Sequence, residues 1–397
     1  MDLYHPLRSL REGSWFKLIC GASFQHLPAI RNLVLAYTLA GADCVDVAAD
    51  PAVINAARSA LAVASHWQGA AEQKGFNRAG AMPWLMVSLN DGEDPHFRKA
   101  TFDPEQCPPD CARPCEAICP AQAIVFNPSY AGVVEASCYG CGRCVPICPI
   151  QTITTRSYVS TPASIAPLVL SGVDAVEIHT QVGRLEDFKR LWAAIRPFVF
   201  DLKLIAISCP DGEGLIDYLW ALYDIIRPLP CSLIWQTDGR PMSGDIGAGA
   251  TRAAVKLGQK VLQAGPPGYV QLAGGTNSHT AEKLKALGLL HQQDASSSDR
   301  LIAGIAYGSY ARALLAPVLE QLEHAEIRNQ AWESPTLKTG LADRCWSMPQ
   351  ARFLARHLEE EPDLLWQAVH LAHSLVSQLK PAMKFKKNIP KISGTMG

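Results

Sequence analysis

Eight cysteines between residues 107 and 148 carry the most specific chemical signal in the chain. The later group reads Cys138-x2-Cys141-x2-Cys144-x3-Cys148-Pro149. This is the spacing by which bacterial ferredoxins wrap three thiolates around one cubane and extend a fourth toward another. The earlier group, Cys107-x3-Cys111-x3-Cys115-x3-Cys119-Pro120, ends alike: Cys119-Pro-Ala-Gln122-Ala-Ile124 against Cys148-Pro-Ile-Gln151-Thr-Ile153. That is an internal repeat, as two halves related by a pseudo-twofold axis would show. Crossed ligation would give one cluster Cys107, Cys111, Cys115 and Cys148, and the other Cys138, Cys141, Cys144 and Cys119. Structural zinc competes for cysteine sets, but it is usually held by two well-separated Cys-x2-Cys pairs. The earlier group's gaps are a residue longer than usual, and Asp110 stands where a two-residue gap would put the second ligand. Two iron–sulfur clusters are expected: a [4Fe-4S] centre on the later group and a [4Fe-4S] or [3Fe-4S] centre on the earlier one.

The elements that hold such a module can be read from hydrophobic periodicity. The 397 residues are 48% hydrophobic and 18% charged, enough for one large domain or two ordinary ones. Strand-like runs fall at Phe16 to Ser23, Cys44 to Ala49, Trp84 to Leu89, Ala175 to Thr180, Leu202 to Ser208, Ser232 to Thr237, Tyr269 to Ala273 and Leu301 to Ala306. Helix-like stretches follow near residues 26–40, 51–68, 162–171, 184–195, 213–226, 248–264, 278–287 and 309–324. Eight such pairs point to an α/β fold, a (β/α)8 barrel-like domain, with an open doubly wound sheet as the alternative. The division expected is 1–102 and 159–325 for the barrel, 103–158 for the inserted two-cluster ferredoxin-like module, and 326–397 for a C-terminal helical extension. That extension has helical stretches near 348–360 and 363–379. It ends in a basic tail with Lys380, Lys384, Lys386, Lys387 and Lys391 around Phe385, which could meet an acidic partner or keep a loose end solvated. The module would sit in the third βα loop, over the C-terminal face where barrels carry their sites.

Charge and composition narrow the remaining classes. With 36 basic and 37 acidic residues, no global charge favours nucleic acid or a membrane surface. The first eighteen residues lack a signal-peptide pattern and no apolar run is long enough to span a bilayer, so a cytoplasmic location with no transmembrane segment is expected. In a reducing compartment clustered cysteines point to metal. Cys20, Cys44, Cys209, Cys231 and Cys345 stand alone and read as small apolar residues.

Other chemistry could sit at the barrel mouth. The turns Gly274-Gly275-Thr276-Asn277-Ser278 and Tyr307-Gly308-Ser309-Tyr310-Ala311-Arg312 follow strands seven and eight, where barrels often bind phosphate on backbone amides. Gly274, Gly275, Thr276, Asn277, Gly308 and Ser309 are therefore candidate contacts for a phosphate-bearing cofactor such as FMN, although any βα turn uses such residues. Asp46, Asp50, Glu177, His179, Lys203, Gln236 and Asp238 are expected near strand ends. Glu177 and His179 share one strand face and are the first pair to consider for acid–base work. No catalytic residue is assigned.

The run Trp15-Phe16-Lys17-Leu18-Ile19-Cys20-Gly21-Ala22-Ser23, continued by Gly41-Ala42-Asp43-Cys44-Val45-Asp46 and the eight-cysteine insert, resembles the cyanobacterial light-dependent period protein (LdpA) family. The resemblance runs to about residue 340. It implies iron–sulfur clusters on the eight cysteines and a role in relaying cellular redox and light state to the circadian clock. It also implies clock-input partners such as a histidine kinase; a quinone or other redox carrier would be a further partner. The competing class is an iron–sulfur oxidoreductase, with a flavin or substrate held at the barrel mouth.

Overall fold

The computed structural model describes residues 6–20, 27–76, 82–92, 98–119, 121–135, 137–138, 144–157, 162–239, 249–290, 300–332 and 357–380. Cys141, Cys345, Gly21 to Ser23 and the lysines from Lys384 onward lie outside them, as does most of the helix expected near 348–360.

The chain begins with α1 (Pro6–Arg11), β1 (Trp15–Ile19), α2 (Leu27–Ala40), β2 (Cys44–Ala48), α3 (Pro51–Gln73) and β3 (Trp84–Asn90). The cysteine-bearing insert follows with β4 (Arg98–Thr101), α4 (Pro114–Ala117), β5 (Ile124–Asn127), β6 (Tyr130–Val133), α5 (Cys144–Ile147) and β7 (Thr154–Ser157). The barrel resumes with α6 (Pro162–Leu170), β8 (Ala175–His179), α7 (Leu185–Ile195), β9 (Leu204–Pro210), α8 (Leu215–Ile226), β10 (Ser232–Asp238) and α9 (Thr251–Ala264). It closes with β11 (Tyr269–Ala273), α10 (Thr280–Ala286), β12 (Ile302–Tyr307), α11 (Ser309–Trp332) and α12 (Pro362–Val376).

Eight of these strands form a closed parallel barrel in the order β1-β12-β11-β10-β9-β8-β3-β2. Closure leaves no open sheet edge and excludes the doubly wound alternative. The strands are short apolar runs because both faces are buried. Phe16, Leu18, Val45, Val47, Val176, Ile178, Ile205 and Ile207 face outward into the core shared with the helices. Inside the lower half, Trp15, Cys44, Trp84, Met86, Ala175, Leu204, Ala206 and Ile234 form a separate apolar plug. Trp15 and Trp84 meet edge to face at 5.7 Å. Gly304 makes room for that indole: a Cβ there would lie 2.2 Å from the Trp15 carbonyl oxygen and 2.6 Å from its Cβ.

Two features close the ends. Leu10 of α1 is fully buried and caps the lower apolar plug. Helix α12 packs on α2 and α11, with Leu365, Ala368, Val369, Ala372 and Leu375 buried in the main core. An Arg31–Glu359 ion pair pins its entry, one of whose bonds is 2.9 Å. Lys380 is fixed as well, donating to Asp43 at 2.5 Å and Ser9 at 3.1 Å. Among the described residues no helix is long and apolar enough to cross a membrane.

The insert leaves the barrel after β3 and returns before α6, so it occupies the third βα connection. β4 and β7 pair antiparallel, from Arg98 opposite Ser157 to Thr101 opposite Thr154, and form its stem. β5 and β6 form a second antiparallel pair within it.

Candidate metal centre and barrel mouth

Seven of the eight clustered cysteines are described, all as free thiols. Cys115, Cys138, Cys144 and Cys148 are buried in a small core of their own with Ala100, Ala123, Ile124 and Ile153, and Cys119 packs against it. Cys107 and Cys111 are half-buried at its edge.

The two repeats fold alike. Gln122 and Gln151, three residues after their Cys-Pro cysteines, both take left-handed backbone with φ of 49° and 53°. Each amide donates back to the cysteine carbonyl, Gln122 to Cys119 at 3.0 Å and Gln151 to Cys148 at 3.1 Å. This reversal turns the following amides toward the sulfur. The Ala123 amide donates to Cys119 Sγ at 3.2 Å. At Cys148 burial pushes the thiol up, but the amides of Thr152, Ile153, Ile150 and Gln151 outweigh it and hold the group below its ordinary value. A further amide, Ala100 of β4, donates to Cys138 Sγ at 3.4 Å. Soft sulfur donors in an apolar pocket, with amides directed at the sulfurs, fit an iron–sulfur cluster.

Cys107, Cys111 and Cys115 of the earlier group lie near Cys148 of the later one. Burial drives the Cys115 thiol up to about 11, with Cys148 and Cys111 adding to the rise against opposing backbone hydrogen bonds. Cys107 is raised by burial and then by Cys111 and Cys148. Thiols that disfavour one another's ionisation in this way favour a bound cation. Among the described residues no three Cys, His, Asp or Glu groups converge as ligands of a single ion. A cubane has no need of that, because its thiolates bind separate irons at separate corners. The long gaps of the earlier group are absorbed by Arg113, whose left-handed φ of 51° turns the chain into α4 and whose guanidinium lies 4.4 Å over the Phe126 ring. Asp110 is exposed on the turn before Cys111.

Lys99 joins this module to the barrel. Its buried ammonium donates to the carbonyls of Glu135 at 2.6 Å and Cys138 at 3.1 Å, and to Asp50 at 3.4 Å. Asp50 follows β2 and caps α3 by accepting from the Ala52 amide.

Above the apolar plug the barrel interior is polar. Lys17 is fully buried, ion-paired with Glu177 and with Asp46 at 3.0 Å, and donates to Gln236 at 3.0 Å. Gln236 donates to Glu177 at 2.6 Å, Gln271 to Gln236 at 2.6 Å, and the Trp15 indole to Gln271 at 2.6 Å. Ser88 donates to Asp46 at 2.6 Å, and Ser208 to Asp238. His179 stands 3.4 Å from Glu177 and is partly open at the rim. The structure thus brings together Asp46, Glu177, His179, Gln236 and Asp238. Lys203 is not among them: it precedes β9 at the opposite end of the barrel and pairs with Asp174 at 2.5 Å. Lys17, Ser88, Ser208 and Gln271 were not singled out by sequence, where a lone polar residue inside an apolar strand gives little sign that it faces inward.

The glycine turns are largely occupied by the fold. Thr276 donates to the Ala306 carbonyl at 2.6 Å, and Asn277 accepts from Thr251 at 3.2 Å and the His279 amide at 3.0 Å. Gly274 and Gly275 have positive φ, and a Cβ on Gly275 would lie 2.8 Å from the Ala250 carbonyl oxygen. Beside Gly308 and Ser309, Arg312 donates to the Ile19 carbonyl and to Ser309, each at 3.1 Å. Cys20 and Cys209, near strand ends, are buried and their thiols are raised chiefly by that burial. Cys44 lies in the lower plug.

Comparisons with known proteins bear on this architecture. Residues 107–159 match the family described as the LdpA Fe-S cluster-binding domain, and residues 168–378 match the light dependent period A C-terminal domain. A curated relative, "Light dependent period A" of Synechococcus elongatus, is 48% identical over 384 residues, 96% of each chain. Solved structures align only loosely. A (S)-3-O-geranylgeranylglyceryl phosphate synthase from Thermoplasma acidophilum is 12% identical at a TM-score of 0.27, covering 77% of this chain and 90% of its own. A GH20 β-N-acetylhexosaminidase from Streptomyces coelicolor is 8% identical at 0.30, covering 74% and 58%. The barrel, the cysteine insert in its third connection and the extent of the matches agree, and the chain belongs to the light dependent period A family, with that family's iron–sulfur-binding domain.

Proposed function

We propose that this protein senses redox state at two iron–sulfur clusters and relays cellular redox and light state to the circadian clock through partner proteins. The observation that carries the reading is the pair of matched cysteine turns, whose amides point at sulfur, joined to the barrel mouth by Lys99. Cys107, Cys111, Cys115 and Cys148 would hold one cluster, [4Fe-4S] or [3Fe-4S]; Cys119, Cys138, Cys141 and Cys144 would hold the other, [4Fe-4S]. Bound clusters supply reversible one-electron chemistry. The chain's own part is to stabilise thiolates with backbone amides, exclude water with Ala100, Ala123, Ile124 and Ile153, and tie the Cys138 carbonyl to Lys99. A change of charge in the module is then felt by a buried ammonium that also serves Asp50 at the barrel mouth. The name of the Synechococcus relative and the family resemblance support the clock connection and a partner such as a histidine kinase. The test is capture of clock-input histidine kinase by the anaerobically purified protein in reduced and oxidised states. A change in bound partner is expected, and equal capture in both states would refute the relay.

A second reading is favoured by the Lys17, Asp46, Glu177 and His179 network: an iron–sulfur oxidoreductase acting on a substrate or FMN at the barrel mouth. Buried ion networks of this size add little stability compared with apolar packing, so function is a reason to keep one. The backbone amides of Gly274, Gly275, Gly308 and Ser309 would take the phosphate, the side chains of Thr276 and Asn277 being engaged in the fold. A flavin absorption band in the purified protein, or reductase turnover with a quinone, would favour this reading over the first.

A further inference from the structure

The surface over the earlier cysteine group has a composition of its own. Ile147 and Ile150 are 41% and 42% exposed although they flank the buried Cys148, and Pro146 and Pro149 beside them are exposed as well. Pro108, Pro109 and Ala112, around Cys111, are also exposed. These segments lie together: Thr152 donates to Gln106 at 3.0 Å, and Cys115 and Cys148 pack in one small core. The result is an apolar surface directly over the thiols. Large exposed isoleucines beside a buried functional group mark a contact surface more than a solvated one.

The rim of this surface is acidic. Asp103, Glu105 and Asp110 are all exposed on the segment leading through Cys107 to Cys111. Among the described residues, Arg113 lies over the Phe126 ring and Arg156 is ion-paired with Glu135. The face therefore has an apolar centre, an acidic edge and thiols just beneath it. An apolar centre lets two cofactors approach closely, and a charged edge steers the encounter.

We propose that this face, Ile147 and Ile150 edged by Asp103, Glu105 and Asp110, docks a small one-electron carrier protein whose own cofactor lies under a cation-rich surface. The proposal rests on the iron–sulfur reading and names the kind of protein that exchanges electrons with the earlier site. The exchange is one electron, the carrier's cofactor being oxidised as the site is reduced or the reverse, with no bond made or broken.

Ferricytochrome c, a small basic haem protein, is the probe. Its affinity for the full-length protein, purified anaerobically, is measured by calorimetry at low and at high salt. Binding is expected to weaken about tenfold or more across that range. The triple variant Asp103→Asn/Glu105→Gln/Asp110→Asn should lose about tenfold in affinity at low salt. Ile147→Ser/Ile150→Ser should weaken binding at both salt levels. Iron content and electron paramagnetic resonance signals, recorded on every variant, should match the wild type. Salt-independent binding, no binding at low salt, or a triple variant that binds like the wild type would overturn the docking proposal. Absence of iron from the wild type would instead overturn the iron–sulfur reading, whatever cytochrome binding shows.

Discussion

The Lys99 ammonium donates to the backbone carbonyl of Cys138 at 3.1 Å, so the start of the later cysteine group is held by a residue of the stem strand β4. The same ammonium donates to Glu135 and to Asp50, which makes it the junction between cysteine module and barrel. Lys99→Met keeps most of the apolar stem but leaves two carbonyls without this donor and a buried carboxylate without its cation. Global stability should fall by about 3 kcal/mol in urea denaturation. Amide exchange should accelerate in β4 and β7 ahead of the barrel strands.

Lys17 gives a second test of buried charge. Its ammonium is the cation between Asp46 and Glu177, and all three side chains are almost wholly buried. Lys17→Met should cost about 3–5 kcal/mol, because two carboxylates are left facing each other in the barrel. Adding Glu177→Gln to that variant should restore part of the loss. Chemical denaturation of the wild type, both single variants and the double variant measures the coupling, and strict additivity would mean that the residues do not interact.

The two left-handed glutamines predict a specific tolerance. Gln151, at φ 53°, occupies backbone that costs a side chain about 1–2 kcal/mol and costs glycine nothing. Gln151→Gly should leave the iron content unchanged and not reduce thermal stability, whereas the β-branched Gln151→Val should lose iron. Equal iron in both variants would mean that the reversal after Cys148 does not shape the site.

Acid should loosen the attachment of α12 first. Glu359 loses solvation on burial, but its bonds to Arg31 more than compensate and its carboxyl lies below its ordinary 4.5. A depressed carboxylate contributes stability above the unfolded value, and that stability is lost as pH falls through the folded one. His357 is held below its ordinary 6.5 by burial and by Arg31, so its contribution is lost as pH falls from about 6.5. Both signs agree: exchange protection of α12 should decline as pH drops below about 6.5, and more steeply below about 4.5. In Glu359→Gln the steeper part should be absent.

The barrel was legible because its strands are short apolar runs rich in Val, Ile and Leu, such as Leu204–Pro210 and Ile302–Tyr307, each followed by a helix. Barrel closure was not, since it depends on the pairing of β1 with β12 across most of the chain. Helix α1 is only six residues long and offers too little periodicity to detect, although its Leu10 closes the barrel floor. The cysteine spacing revealed the module, but not the β4–β7 stem or the role of Lys99, because a single lysine carries no spacing signal. Lys203 illustrates the opposite error. A polar residue next to a strand was placed at the mouth, yet the strand direction puts it at the other end. Lys380 read as the beginning of a solvated tail, and tertiary contact with Asp43 and Ser9 overrides that pattern.

The central claim is that the eight cysteines hold two iron–sulfur clusters with crossed ligation, and electron paramagnetic resonance with iron analysis on anaerobically purified protein tests it most directly. The wild type should hold roughly seven to eight irons per chain and show two distinguishable signals across its oxidised and reduced states. Cys111→Ser and Cys141→Ser should each perturb a different one. Fewer than about four irons in the wild type, or both signals intact in each variant, would contradict the account.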